Sequence, residues 1–239
     1  FPMQARRLMS ALWGMGQMSF VKTIIVFDQD VDIQNTQKVI ETLLNKIDFT
    51  HDLFFSEGIL DVLNHASDKA LYGSKLGIDA TTKIEGEDES KIKSENNSKT
   101  ASPLSEHVLE SFTELTSCKI LKQNDLHQVA FATLDKKKPQ QGCKVIKKFM
   151  NDKKFSAITV FVLLENHENV NDASTVLWKI LNNIDPKRDM YFFGNRVGID
   201  VSCKTGEPDF KQYWPDEIEM SNNIKQIVDQ KWTKMFDGK

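Results

Sequence analysis

The sequence predicts an α/β protein made of two tandem, related three-layer units with mainly parallel sheets, closed by a C-terminal amphipathic helix. Three observations carry this reading. Four stretches recur in one order in both halves, short β-branched runs alternate with helical apolar periods, and a polar tract separates the halves. With 239 residues, 40% of them hydrophobic and 27% charged, the chain has the length and composition to bury a core.

The repeat starts where Pro2-Met3-Gln4-Ala5-Arg6-Arg7 lines up with Pro139-Gln140-Gln141-Gly142-Cys143-Lys144. Val39 to Asp48 then matches Val176 to Asp185, Asp52 to Phe55 matches Asp189 to Phe192, and Gly77 to Lys83 matches Gly198 to Lys204. Within each copy the order is helix, strand, helix, strand. Leu8, Leu12 and Met15 recur at helical spacing, and Thr23 to Phe27 is a β-branched and apolar run of the kind a covered parallel strand shows. A helix follows with Val39, Ile40, Leu43, Leu44 and Ile47 on one face, then a strand over Leu53 to Phe55. In the second copy a further strand, Gln128 to Leu134, precedes Pro139, and Pro suits a first helical turn. A matching strand is expected immediately before Phe1, so the start reads as a cut through a longer protein.

Between the copies, Glu85 to Ser102 holds only Ile92 and the small Ala101 as apolar side chains and reads as a flexible linker. At the end, Ile224, Ile227, Val228, Trp232 and Met235 mark an amphipathic helix capped by Ser221 or Asn222, which is expected to dock somewhere. The domains are therefore a first copy over 1–85, a linker over 86–105, a second copy over 106–205, and a tail with its helix over 206–239.

Charge and composition remove several function classes. The 31 Lys plus Arg against 34 Asp plus Glu give a net charge of -3, which offers no excess of positive charge to a nucleic acid or an anionic membrane surface. The longest apolar run, Ala157 to Leu164, is too short for a membrane helix. Cys118, Cys143 and Cys203 are odd in number and show no CxxC spacing, so neither a disulfide framework nor a zinc site is expected and a reducing cytoplasm is the default.

Candidate chemistry is sparse. Gly14-Met15-Gly16 follows a helix rather than a strand, so the glycines are read as ending that helix instead of opening a dinucleotide loop. Asp28, Asp30 and Asp32 have the spacing of a calcium loop, but Ile33 and Val39 stand where its Gly and Glu belong. These acids solvate a loop, and Asp32 or Asn35 caps the next helix. The five histidines form no helical metal pair and are read as surface or satisfied core residues. Tyr72-Gly73-Ser74-Lys75 is the one segment suited to an anion, since Gly lets backbone N–H groups approach and Lys adds charge; a plain surface turn fits equally.

The copies differ in one place above all. The first carries a long excursion between Phe55 and Gly77, whereas the second crosses from Phe193 to Gly198 directly. Lys22 has no charged counterpart, Ser156-Ala157 being read in its place. Sites are therefore expected in the first copy, and none is assigned to the second.

Pro2 to Arg7, Phe27 to Asp32, Ile59 to Ser67 and Tyr72 to Thr81 together resemble the C-terminal domain of the UbiD family of decarboxylases, and Trp214 to Trp232 is similar to that family's terminal helix. The resemblance implies a reversible, non-oxidative aromatic-acid decarboxylase of quinone biosynthesis. It would use prenylated flavin mononucleotide with a divalent metal, commonly manganese (Mn2+), and potassium (K+). Its substrate would be an aromatic carboxylic acid such as a polyprenylated hydroxybenzoate, and the enzyme would be a homo-oligomer. The same resemblance puts the catalytic residues and metal ligands in a domain outside this chain, leaving the fragment silent. It places Lys22 near the cofactor phosphate, and Ser67, Leu71, Tyr72, Gly73, Ser74 and Lys75 in a loop over the substrate cleft. A rival reading makes the tandem region a non-catalytic oligomerisation or partner-binding module.

Overall fold

The computed structural model describes residues 2–87, 105–121, 127–218 and 220–236. In the first copy α1 (Gln4–Trp13) leads through a 3-10 turn into β1 (Thr23–Phe27), followed by α2 (Thr36–Lys46), β2 (Leu53–Ile59) and β3 (Tyr72–Ala80). The second copy adds α3 (Ser105–Ser111) and β4 (Leu115–Leu121), then runs β5 (Val129–Leu134), α4 (Gln141–Asn151), β6 (Val160–Glu165), α5 (Ala173–Asn182), a single turn α6 (Pro186–Asp189), β7 (Met190–Phe192) and β8 (Val197–Asp200). The terminal helix is α7 (Asn222–Phe236). Most of the expected linker lies outside the described residues.

The strands form two sheets, ordered β1-β3-β2 and β4-β5-β6-β8-β7. Both are mixed. The pairs β1–β3, β5–β6 and β6–β8 are parallel, as the sequence predicts, while β2–β3, β4–β5 and β7–β8 are antiparallel. The reason is local: β2 and β7 return to their neighbours without the crossover helix that a parallel pair requires. β6 takes β5 on its outer side; its counterpart β1 has no strand there among the described residues.

Alternation along the strands separates the faces. Leu76 and Ile78 of β3 point into a core shared with Val160 and Val162 of β6 and Ile199 of β8, and Val176 of α5 and Leu44 of α2 join it. On the opposite face of β3, Gly77 lies under α1 so closely that a Cβ would come within 2.4 Å of Met9 Sδ. Gly198 repeats this under α4, where a Cβ would come within 2.2 Å of Ile146. Each copy thus packs its own helix on one sheet face and turns the other face toward its twin. A further cluster centred on Phe112, Phe149, Phe155 and Phe161 fills the outer face of the second sheet.

Local signals explain most boundaries. Asn35, not Asp32, caps α2, its side chain accepting from Lys38 N–H at 3.1 Å. Its counterpart Asp172 caps α5. Trp13 ends α1, and the Gly14 N–H bonds back to Ser10 and Ala11. The buried face of α1 is Ala5 and Met9 with Leu12 and Trp13 beside them, whereas Leu8 and Met15 are exposed; the i, i+4, i+7 stripe starts one turn earlier than the leucines indicate. Ser221 starts α7, where Ile224, Ile227, Val228 and Trp232 are exposed rather than buried as the amphipathic pattern predicts.

Candidate functional site

The expected anion segment and Lys22 come together, and the partner they meet is the second copy. β1 pairs with β3 only from Leu76 onward, so the earlier residues of β3 extend past its end. There the Ser74 N–H donates to Asp185 Oδ2 at 3.1 Å, and its hydroxyl donates to Oδ1 of the same carboxylate. The Lys187 N–H returns a 2.9 Å bond to the Ser74 hydroxyl. Gly73 makes the approach possible, because a Cβ would fall 2.0 Å from Ser67 Oγ and 2.9 Å from Asp185 Oδ2. The segment does bind an anion, and that anion is Asp185.

Lys22 lies beside this contact. Its ammonium donates to Asn64 Oδ1 at 3.0 Å and to the carbonyls of Asn182 at 2.9 Å and Ile184 at 3.0 Å, which uses all three N–H groups. Burial lowers its pKa to about 8, with Asp185 and Asp189 pulling the other way. Thr159, rather than Ser156-Ala157, occupies the counterpart position: Leu76 N–H donates to Lys22 O at 2.9 Å and Val197 N–H to Thr159 O at 2.8 Å. There Thr159 contacts His127 Nδ1 at 3.1 Å, and His127 Nε2 donates 2.5 Å to Ile47 O, the counterpart of Ile184 O. Phe49 N–H donates to Asn195 Oδ1 at 2.7 Å. Each copy therefore grips the same turn of the other, with different side chains, as the two halves of an isologous interface do.

Of the segment expected to be a loop, residues 72–75 are strand. Ser67 is buried, accepting from Asn64 Nδ2 at 2.9 Å and, through its carbonyl, from Gln212 Nε2 at 2.8 Å. Lys75 is buried too, its ammonium on Ser19 O and, at 3.3 Å, on Val21 O. Leu71 is exposed in a left-handed conformation, φ 60°, and Tyr72 is exposed at the start of β3. Lys22, Ser74 and Lys75 thus spend their donors inside the chain and do not, in this arrangement, fit a cofactor phosphate. The candidate metal donors found together among the described residues, His167, Glu168 and Glu217, already enclose the Lys179 ammonium, which lies 2.7 Å from Glu168.

A second constellation, overlooked as chemistry, is twinned. Lys83 bridges Asp52 at 2.9 Å and Asp79 at 3.0 Å, and Lys204 bridges Asp200 at 3.1 Å and Asp189 at 3.6 Å. Thr81 and Ser202 make the same 2.6 Å bond to Asp79 and Asp200. Asp48 N–H donates to Asp52 Oδ2 at 2.7 Å, and Asp185 N–H to Asp189 Oδ2 at 2.8 Å. Burial raises the Asp200 pKa, but the Lys204 charge and the Ser202 hydrogen bond outweigh it and hold the carboxyl low; for Asp189 burial prevails. The signal in the sequence was the retention of the same charges in both copies.

These features define a duplicated α/β domain whose halves lock across a pseudo-twofold interface. Residues 1–80 and 99–209 match the family described as the 3-octaprenyl-4-hydroxybenzoate carboxy-lyase C-terminal domain, UbiD_C. The chain belongs to that family. An uncharacterized protein of Helicobacter pylori strain J99 is 29% identical over 226 residues, which cover 92% of this chain and 34% of the relative. One of Aquifex aeolicus is 39% identical over 83 residues, 35% of this chain and 17% of that relative. The chain thus spans about a third of the length of the Helicobacter relative. Among solved structures, the closed form of Sedimentibacter hydroxybenzoicus vanillic acid decarboxylase aligns at TM-score 0.44 and 9% identity over 56% of this chain and 31% of that one. The UbiD-class enzyme HmfF of Pelotomaculum thermopropionicum, in an evolved dimeric form in complex with prFMN, aligns at 0.40 and 16%, over 52% and 28%. No helix among the described residues is long and apolar enough to cross a membrane.

Proposed function

We propose that this chain is the C-terminal part of a non-oxidative aromatic-acid decarboxylase, a carboxy-lyase of quinone biosynthesis acting on a polyprenylated hydroxybenzoate or a related acid. The observation that carries the reading is the match to the carboxy-lyase C-terminal domain across both copies. In this reading the catalytic residues lie in a domain outside this chain, and the fragment alone is catalytically silent. Prenylated flavin mononucleotide, with Mn2+ and K+, belongs in this reading to the rest of a longer cytoplasmic, homo-oligomeric enzyme. When bound, it supplies the electrophile that accepts electrons released with carbon dioxide. This chain's part is to form one wall of the substrate cleft, with Leu71 and Tyr72 as its exposed side chains. Contact of Lys22 with a cofactor phosphate requires it to release Asn64, Asn182 or Ile184.

The test is to produce the longer protein together with a flavin prenyltransferase and measure carbon dioxide release from hydroxybenzoates and naphthoates. Modified flavin bound to the protein and release from at least one acid is the expected result. Failure of both overturns the reading. A second reading, a non-catalytic assembly module, is favoured by the exposed apolar side chains of α7. It predicts concentration-dependent association by light scattering, and a monomer at high concentration counts against it.

A further inference from the structure

The two copies treat one equivalent space differently. In the first, Arg6 fills the space before Asp52 and Asp79: its guanidinium donates to His51 O at 2.9 Å, lies 5.8 Å from the Phe54 ring, and leaves a cleft of only about 10 Å³. In the second, Cys143 stands where Arg6 would be and Tyr191 where Phe54 would be, and Arg188 takes the place of His51. The shorter thiol opens a cleft of about 280 Å³ between the start of α4, β7 and residues 200–209.

With Lys136 counted behind Glu207, five cations meet four carboxylates around the cleft, and the excess sits at its lip. Asp189 and Asp200 are neutralised by Arg188 and Lys204 together, and Glu207 by Lys136 at 2.5 Å. Lys144 and Lys147 are exposed on the lip, with Asp209 the opposing exposed carboxylate. Arg188 spends Nε and Nη2 on Asp189 and Nη2 also on Ala66 O at 2.7 Å, but its Nη1 is buried without a hydrogen-bond partner. It is the one such side-chain atom among the described residues. A buried guanidinium N–H without an acceptor carries a full desolvation cost, and an oxyanion is the acceptor that best relieves it. The cleft falls just below the roughly 300 Å³ at which pockets for drug-sized ligands begin, so the occupant is small.

We propose that this second-copy cleft is an oxyanion site that takes a small carboxylate or phosphate against Arg188, Lys144 and Lys147. The site is independent of the decarboxylase reading. It also revises the expectation that the second copy carries none.

Cys143 on the cleft wall is the reporter. On the intact chain, iodoacetamide labelling is followed for each cysteine-containing peptide, with Cys118 and Cys203 as internal references. Inorganic phosphate, benzoate and chloride are compared at matched ionic strength. Phosphate or benzoate at a few times a dissociation constant of about 1 mM should slow Cys143 labelling at least about threefold and leave Cys118 and Cys203 unchanged. Whichever of the two protects identifies the source of the oxyanion. Lys144→Glu, on an exposed position, should abolish the protection. In a parallel arm the protective anion should raise the Tm of the wild type but not that of Cys143→Arg, which restores the residue that fills the first copy's cleft. No protection and no Tm shift with either anion overturns the proposal. So does equal protection by chloride, or protection that persists in Lys144→Glu.

Discussion

At the scale of single residues, Asp185 illustrates how a carboxylate can stand in for a strand. It accepts the N–H and hydroxyl of Ser74 where β3 has outrun β1, so Asp185→Ala leaves two buried donors without acceptors. The expected cost is about 2–4 kcal/mol, read from urea denaturation; a loss below about 0.5 kcal/mol contradicts the contact. Lys22 makes a prediction about pH. Its folded pKa is lowered by burial from 10.5 to about 8, so between these values the unfolded chain holds a proton that the folded chain has released. Stability from this residue therefore rises with pH across that window and is flat below it. The stability of the wild type minus that of Lys22→Met should increase from about pH 8 to about pH 10.5; a falling or constant difference rejects the assignment.

At the scale of elements, the same strand-end cluster appears twice in different degrees of burial. Lys204 is 3% exposed and Lys83 16%. Truncating Lys204 to Met should therefore cost about 3–5 kcal/mol and truncating Lys83 less, since water can reach the acids it leaves behind. Equal costs would indicate that burial does not set the difference. Asn35→Ala should remove about 1 kcal/mol through its cap on α2. Helices and parallel strands were readable from the sequence because apolar periods and the repeat mark them. The antiparallel edges were not, because a strand's direction depends on how the connection returns, and the excursion from Leu60 to Leu71 carries no helical period to show it. Residues 72–75 misled for a related reason: Gly and Lys read as a ligand-binding turn, yet Gly73 is small to admit Asp185, and Lys75 turns inward to backbone carbonyls. Only the fold brings Asp185 there, from 111 residues away.

At the scale of the whole molecule, the two copies form one locked unit. The inner faces of both sheets contribute to one core, and the turns at Asp48 and Asp185 are each held by the opposite copy. Denaturation followed by Trp13 in the first copy and Trp178 in the second should therefore give one coincident transition. Separate midpoints would mean two independent domains. This locking is also what turns Lys22 and Ser74, which resemble ligand-binding residues, into interface residues. The most direct test is hydrogen exchange at the Ser74 amide, whose acceptor is a side chain of the other copy rather than a neighbouring strand. The locked arrangement predicts exchange slowed at least about 100-fold relative to an exposed amide, and lost in Asp185→Ala. Free exchange in the wild type, or protection unchanged in that variant, would contradict it.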